Sequence, residues 1–254
     1  MPLQALLFDV DGTLADTERD GHRPAFNLAF AEAGLDWHWD VALYGELLAV
    51  TGGKERMHHY IARFRPDYSK STDFTELVAR LHAAKTRHYT ALLARAEIPL
   101  RPGVARLLRA ARSAGLRLAI ATTTTPANVT ALLEHALAPD AVDWFEIIAA
   151  GDVVPAKKPA PDIYHYVLEH MALTQDDCLV FEDSANGLLA ARGAGLKTVI
   201  TVNDYTRDHD FSGAALVLDH LGESDRPFTL HQGRGEFSGV FDVAMAQRLH
   251  QRDD

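Results

Sequence analysis

Cysteine is almost absent: Cys178 is the only one in 254 residues. An internal disulfide is therefore excluded, and so is a thiolate cage for zinc. Its place in the run Cys178-Leu179-Val180-Phe181 marks a buried core thiol rather than a nucleophile. Long apolar stretches are lacking as well. None approaches the roughly 20 residues that a spanning helix needs, and the N-terminus shows neither a basic region nor a cleavage site. No membrane partner and a cytoplasmic location are the expectation. Positive charge is in short supply, with 25 Lys and Arg against 35 Asp and Glu, a formal net charge of -10. Such a surface repels phosphate backbones, so no nucleic-acid partner is expected, while small anions can still bind at local cationic spots.

What is present belongs to a globular protein. Hydrophobic residues make up 47% and charged residues 24%, and the length suffices for a large α/β core carrying a smaller insertion. The most informative segment is Ala5-Leu6-Leu7-Phe8-Asp9-Val10-Asp11-Gly12-Thr13. Its apolar run, closed by a turn signal, reads as a strand buried on both faces, with Asp9 and Asp11 at its C-terminal end. Ligands of open α/β sheets bind at such ends. Two carboxylates one residue apart face one small volume and repel by roughly 4 kcal/mol at an effective dielectric near 20. A nearby cation must offset this, or one acid must keep its proton.

From Asp16 to about Ile98 the periodicity is helical, with helices predicted over Ala25 to Ala33, Val41 to Val50, Glu55 to Phe64 and Phe74 to Ala96. From Val104 onward helices alternate with short apolar strands, the pattern of βαβ units and a parallel sheet. The expected strands are Leu116 to Ala121, Phe145 to Ala149, Cys178 to Phe181, Lys197 to Val202 and Leu216 to Leu218. The expected fold is thus α/β, a Rossmann-like doubly wound parallel sheet with an inserted α-helical cap domain. Core segments at 1–15 and 99–221 flank a cap at 16–98. A tail at 222–254 contains a helix from about Val240 to Leu249, and its role is not readable.

Four strand exits or following loops carry polar groups: Asp9 with Asp11, the threonines Thr122 to Thr125, Lys158, and Glu182 with Asp183. Parallel strands bring such ends to one edge. Asp9, the Asp11 carbonyl and Asp183 form an oxygen-rich set suited to Mg²⁺, with Glu182 holding a metal-bound water rather than binding directly. Lys158 supplies fixed positive charge, and a threonine hydroxyl with backbone N–H groups can hold phosphoryl oxygens. Phosphoryl transfer asks for such positioning and charge stabilisation. In the cap, Thr51-Gly52-Gly53-Lys54-Glu55-Arg56 opens a helix with free N–H groups and two cations, an anion site in form.

In order, Asp9-Val10-Asp11-Gly12-Thr13, Thr122 after a strand, Lys158-Pro159 and Glu182-Asp183 resemble the four motifs of the haloacid dehalogenase superfamily. Trp37 to Asp40, Thr51 to Arg56 and Thr122 to Asn128 look like its CbbY branch, over about residues 3 to 221. The resemblance implies a Mg²⁺-dependent phosphatase acting on a phosphosugar, xylulose 1,5-bisphosphate, an inhibitory by-product of Rubisco, and releasing xylulose 5-phosphate. It implies Asp9 as nucleophile, Asp11 as general acid and then base, and Thr122 and Lys158 as phosphoryl-binding groups. Carried over residue by residue, the substrate contacts are Glu18, His22, Gly52, Gly53, Lys54, Glu55, Arg56, Lys85, Thr123, Thr124 and Asn128. Trp37 and Trp39 read as cap core rather than a sugar platform. A monomer is expected. Two alternatives stay open: a β-phosphoglucomutase-like phosphosugar mutase and a non-catalytic phosphosugar sensor.

Overall fold

The computed structural model describes residues 2–50, 52–66, 74–95, 97–233, 237 and 239–252. Thr51 of the predicted anion site and Ala96 at the end of the long predicted helix lie outside them. In chain order, β1 (Ala5–Phe8) precedes α1 (Arg23–Glu32), α2 (Val41–Leu47), α3 (Gly53–Phe64) and α4 (Phe74–Ala94). Next come α5 (Val104–Ser113), β2 (Arg117–Ala121), α6 (Pro126–Ala136), β3 (Ile147–Ala149), α7 (Asp162–Met171) and β4 (Cys178–Glu182). The chain ends with α8 (Ala185–Gly193), β5 (Lys197–Thr201), β6 (Leu216–Leu218), β7 (Leu230–Gly233) and α9 (Val243–His250). Two compact units result, Met1–Asp16 with Pro99–Asp254, and Thr17–Ile98. Among the described residues no helix is long and apolar enough to cross a membrane.

The first unit is a seven-stranded sheet in the order β3-β2-β1-β4-β5-β6-β7, parallel except for β7. Each central strand is buried on both faces, as its unbroken apolar run requires. Ala5 and Leu7 of β1 and Cys178 and Val180 of β4 pack on one face with Tyr164, Val167, Ala190 and Ala191 of α7 and α8. Alternation turns Phe8 and Phe181 to the other face, where their rings stack at 4.6 Å and Phe241 meets Phe181 edge-on. The segment beyond 221 is therefore more than a tail with a helix. It adds an antiparallel edge strand and buries Phe241 completely.

β1 pairs with β2 on one side and β4 on the other, so the strand order reverses between β1 and β4. Such a reversal opens a crevice at the C-terminal strand ends. Behind it, buried Arg101 donates to the carbonyls of Gly12, Thr201 (2.9 Å), Val202 (2.5 Å) and Asp219 (2.7 Å), and pairs with Asp16 at 3.3 Å. It ties the turn after β1 to the exits of β5 and β6.

The second unit is helical and built on an aromatic core. Phe26, Phe30, Trp37, Trp39, Tyr44 and Tyr60 are buried, and Asn27 fixes the Trp39 backbone through both its amide oxygen and its amide nitrogen. The chain enters this unit through a π-helical turn, Glu18–His22, which no periodicity announces.

Arg101→Met should lower unfolding free energy by about 3 kcal/mol, because several buried carbonyls lose their donor at once. Urea denaturation of the variant checks this, and a loss below about 1 kcal/mol would contradict the role.

Candidate active site

Alternation along β1 carries one residue past its end, and along β4 it runs to its last residue. Asp9 continues the Ala5/Leu7 side and Glu182 the Cys178/Val180 side, so both acids emerge over α7. Lys158, in the loop before α7, reaches them. Its ammonium donates to Asp9 Oδ1 at 2.7 Å, to Glu182 Oε1 at 2.5 Å and to the Ala121 carbonyl, at the exit of β2, at 2.8 Å. All three N–H donors are used. The neighbouring Lys157 pairs with Asp152 instead, at 2.9 Å.

Asp183 completes the cluster: Asp9, Glu182 and Asp183 each offer an oxygen, all within 4.8 Å of one another, and all three are buried. Asn203, just after β5, donates to Asp183 Oδ2 at 2.7 Å, and its own Oδ1 accepts from the Tyr205 N–H at 2.9 Å. Gly12 has φ of +85°, and a Cβ there would lie 2.2 Å from Asp183 Oδ2. Only glycine lets the first loop approach this carboxylate. Gly187 plays the same part for Glu182, since a Cβ would lie 1.9 Å from its Oε2. Asp11 sits in the turn after β1, half-buried and bridged to Ala15, and its charge is felt at Asp9.

Burial dominates the electrostatics. It raises Asp9 to about 7 even though Lys158 beside it pulls the other way. Asp183 is pushed well above the carboxylate range, by burial first and then by the charges of Asp9 and Glu182. Burial alone would lower Lys158, but the two carboxylates more than offset it and raise it. Three buried acids against one lysine leave negative charge over, and an all-oxygen donor set fits a hard divalent cation.

Thr122 and Thr124 are buried where β2 ends, the Thr124 N–H lies 3.4 Å from Thr122 Oγ1, and Thr123 is half-buried. Asn128, in the first turn of α6, donates to Thr124 Oγ1 at 3.2 Å and has a buried Oδ1 without a hydrogen-bond partner. The helical unit brings Glu18 and Arg56 together through Tyr44, whose hydroxyl donates to Glu18 and accepts from Arg56 at 2.7 Å. It also sets Lys85 against His22 Nδ1 at 2.8 Å, both buried. Lys54 and Glu55 are exposed at the start of α3, after Gly52 with φ of +97°. His82 lies over Gly53, and burial with the charges of Lys85 and Lys54 lowers its pKa to about 4. Sequence reasoning missed Asn203, Tyr164, Tyr44 and His82. The period-two continuation of β4 was the signal for Tyr164, because it aims Glu182 at α7.

The doubly wound sheet with this acid–lysine cluster at its switch point is the architecture of a haloacid dehalogenase-like hydrolase, and a model of that family matches residues 3–195. The chain is 52% identical over 229 residues, 90% of either sequence, to protein CbbY of Cupriavidus necator. The crystal structure of CbbY from Rhodobacter sphaeroides in complex with phosphate superposes with a TM-score of 0.78 at 45% identity, covering 86% of this chain and 94% of that one. A mutant of the same protein in complex with xylulose-(1,5)bisphosphate superposes with a TM-score of 0.79 at 46% identity and the same coverage. The chain belongs to the CbbY family of these hydrolases and is a phosphatase.

The raised Asp9 has a consequence for stability. Between the ordinary value of 3.8 and about 7 the folded protein holds a proton that the unfolded chain has released, so Asp9 stabilises the fold less as pH rises through that window. In chelator, the stability of the parent relative to Asp9→Asn should fall across it. The comparison cancels the buried histidines, whose lowered values give the opposite slope. Mg²⁺ should stabilise the parent more above the window than below it. A pH-independent difference would show that Asp9 is not held in its acid form.

Proposed function

We propose that this phosphatase hydrolyses xylulose 1,5-bisphosphate to xylulose 5-phosphate through an aspartyl phosphate on Asp9. The observation that carries the chemistry is the buried Asp9–Lys158–Glu182 network beside Asp183. The choice of sugar is supported by the CbbY structure bound to the bisphosphate. Asp9, the Asp11 carbonyl and Asp183 would hold Mg²⁺, with Glu182 acting through water. When bound, the ion supplies positive charge against the phosphoryl oxygens. Asp9 attacks the phosphorus in line with the leaving oxygen, Asp11 gives its proton to the departing alcohol, and Asp11 then takes a proton from the attacking water. Lys158 and Thr122 hold the transferring group and spread its charge.

Recognition of the sugar and its second phosphate is assigned to Glu18, His22, Gly52, Gly53, Lys54, Glu55, Arg56 and Lys85 of the helical unit, and to Thr123, Thr124 and Asn128 of the sheet unit. The open start of α3, with Lys54 beside it, suits a phosphate. Arg56 is held by Tyr44 and Glu18, so its fork is already oriented.

Phosphate release across sugar mono- and bisphosphates tests the substrate, with xylulose 1,5-bisphosphate expected to give the highest kcat/KM. Isomerisation of β-glucose 1-phosphate without net phosphate release would favour the mutase. Asp9→Asn should cut turnover by on the order of a thousandfold or more with the fold intact, and near-parental activity would exclude Asp9 as nucleophile. Lys54→Ala should raise KM for the bisphosphate by about tenfold and leave small monoesters nearly unchanged. Equal losses on both substrate types would remove the second-phosphate assignment.

A further inference from the structure

We infer that Tyr164 is a positioning residue for phosphoryl transfer, its hydroxyl holding Glu182 so that Lys158 can hand one N–H from Glu182 to the transferring group. The inference rests on the proposed roles of Asp9 and Lys158 and goes beyond them.

The Lys158 ammonium is saturated with acceptors. Lys158 already donates to Asp9, Glu182 and the Ala121 carbonyl, so contact with a phosphoryl oxygen requires one of these bonds to be released. Of the three acceptor atoms, Glu182 Oε1 is the one that also accepts from a second buried side chain, the Tyr164 hydroxyl, at 2.5 Å. A buried carboxylate stripped of every donor is costly, whereas one that keeps a close donor loses far less, and Asp9 keeps only the long 3.5 Å contact from Thr13 to its other oxygen. Glu182 is therefore the partner that Lys158 can leave, and Tyr164 is the reason.

Two further features bind Tyr164 to this task. Its side chain is fully buried in the core beneath β1 and β4, so its hydroxyl has little freedom to turn elsewhere. Its ring faces the Lys158 ammonium at 5.4 Å, a second contact with the same network. In this bond the phenol hydroxyl is the donor and the carboxylate oxygen the acceptor. The bond from Tyr164 therefore acts on Glu182 throughout the reaction, while the bond from Lys158 is made and broken.

The test uses p-nitrophenyl phosphate, which is independent of the sugar assignment, with orthovanadate as an analogue of the transferring group. Tyr164→Phe keeps the ring and removes only the hydroxyl. It should lower kcat about tenfold, leave KM within about twofold and weaken orthovanadate inhibition about tenfold. Tyr166→Phe, on the same helix, should change none of these. Because Tyr164 acts through Glu182, Tyr164→Phe combined with Glu182→Gln should lose no more than Glu182→Gln alone. A kcat and an orthovanadate affinity both within about twofold of the parent would overturn the inference. So would losses that multiply in the double variant, or a raised KM with unchanged kcat. Asp9→Asn is run alongside: if it retains turnover, the underlying phosphoryl-transfer reading has failed and the inference falls with it. If Asp9→Asn is inactive and Tyr164→Phe behaves as the parent, only the inference has failed.

Discussion

The Lys158 ammonium sits between Asp9 and Glu182, and most of what is distinctive in this protein follows from that contact. Three carboxylates crowd one buried volume at the switch point, an arrangement that repulsion and desolvation both oppose. One lysine offsets part of that cost and orients two of the acids. The remainder stays as a raised Asp9 and a raised Asp183, a site that gains by taking up further positive charge. The fold thus keeps its least comfortable groups where a divalent cation would relieve them, a common arrangement where stability is exchanged for activity.

The surrounding structure serves this cluster. Parallel pairing in register brings the exits of β1, β2 and β4 to one edge, so that groups more than a hundred residues apart meet within hydrogen-bond distance. Gly12 and Gly187 let backbone approach Asp183 and Glu182 where any side chain would collide. Asn203 occupies one oxygen of Asp183, and Arg101 ties the Gly12 turn to the ends of β5 and β6. In the helical unit the same economy recurs, with Tyr44 joining Glu18 to Arg56 above a core of packed rings.

Much of this was legible in the sequence, for identifiable reasons. Core strands buried on both faces leave continuous apolar runs, and the acids and lysine that follow them stand out against that background. Partner groups were harder to find. Tyr164 lies within the apolar face of α7, where a tyrosine needs no special explanation, and Asn203 stands in a turn that favours asparagine anyway. β7 was missed because Leu230-His231-Gln232-Gly233 is largely exposed and has no apolar alternation; pairing with β6 defines it. The π-helical turn at Glu18–His22 contains Gly21, against which Ile98 and Tyr89 pack where a Cβ would intrude. No local pattern encodes contacts that distant in sequence.

The central claim is that the Lys158 network orients Asp9 to accept a phosphoryl group once a divalent cation lets it ionise. Rapid acid quench during turnover, followed by peptide mass analysis, addresses it most directly. The account predicts a peptide carrying one added phosphoryl group at Asp9, forming and decaying at rates that support turnover. Continuous phosphate release with no such adduct, or with the adduct on a different residue, would contradict it.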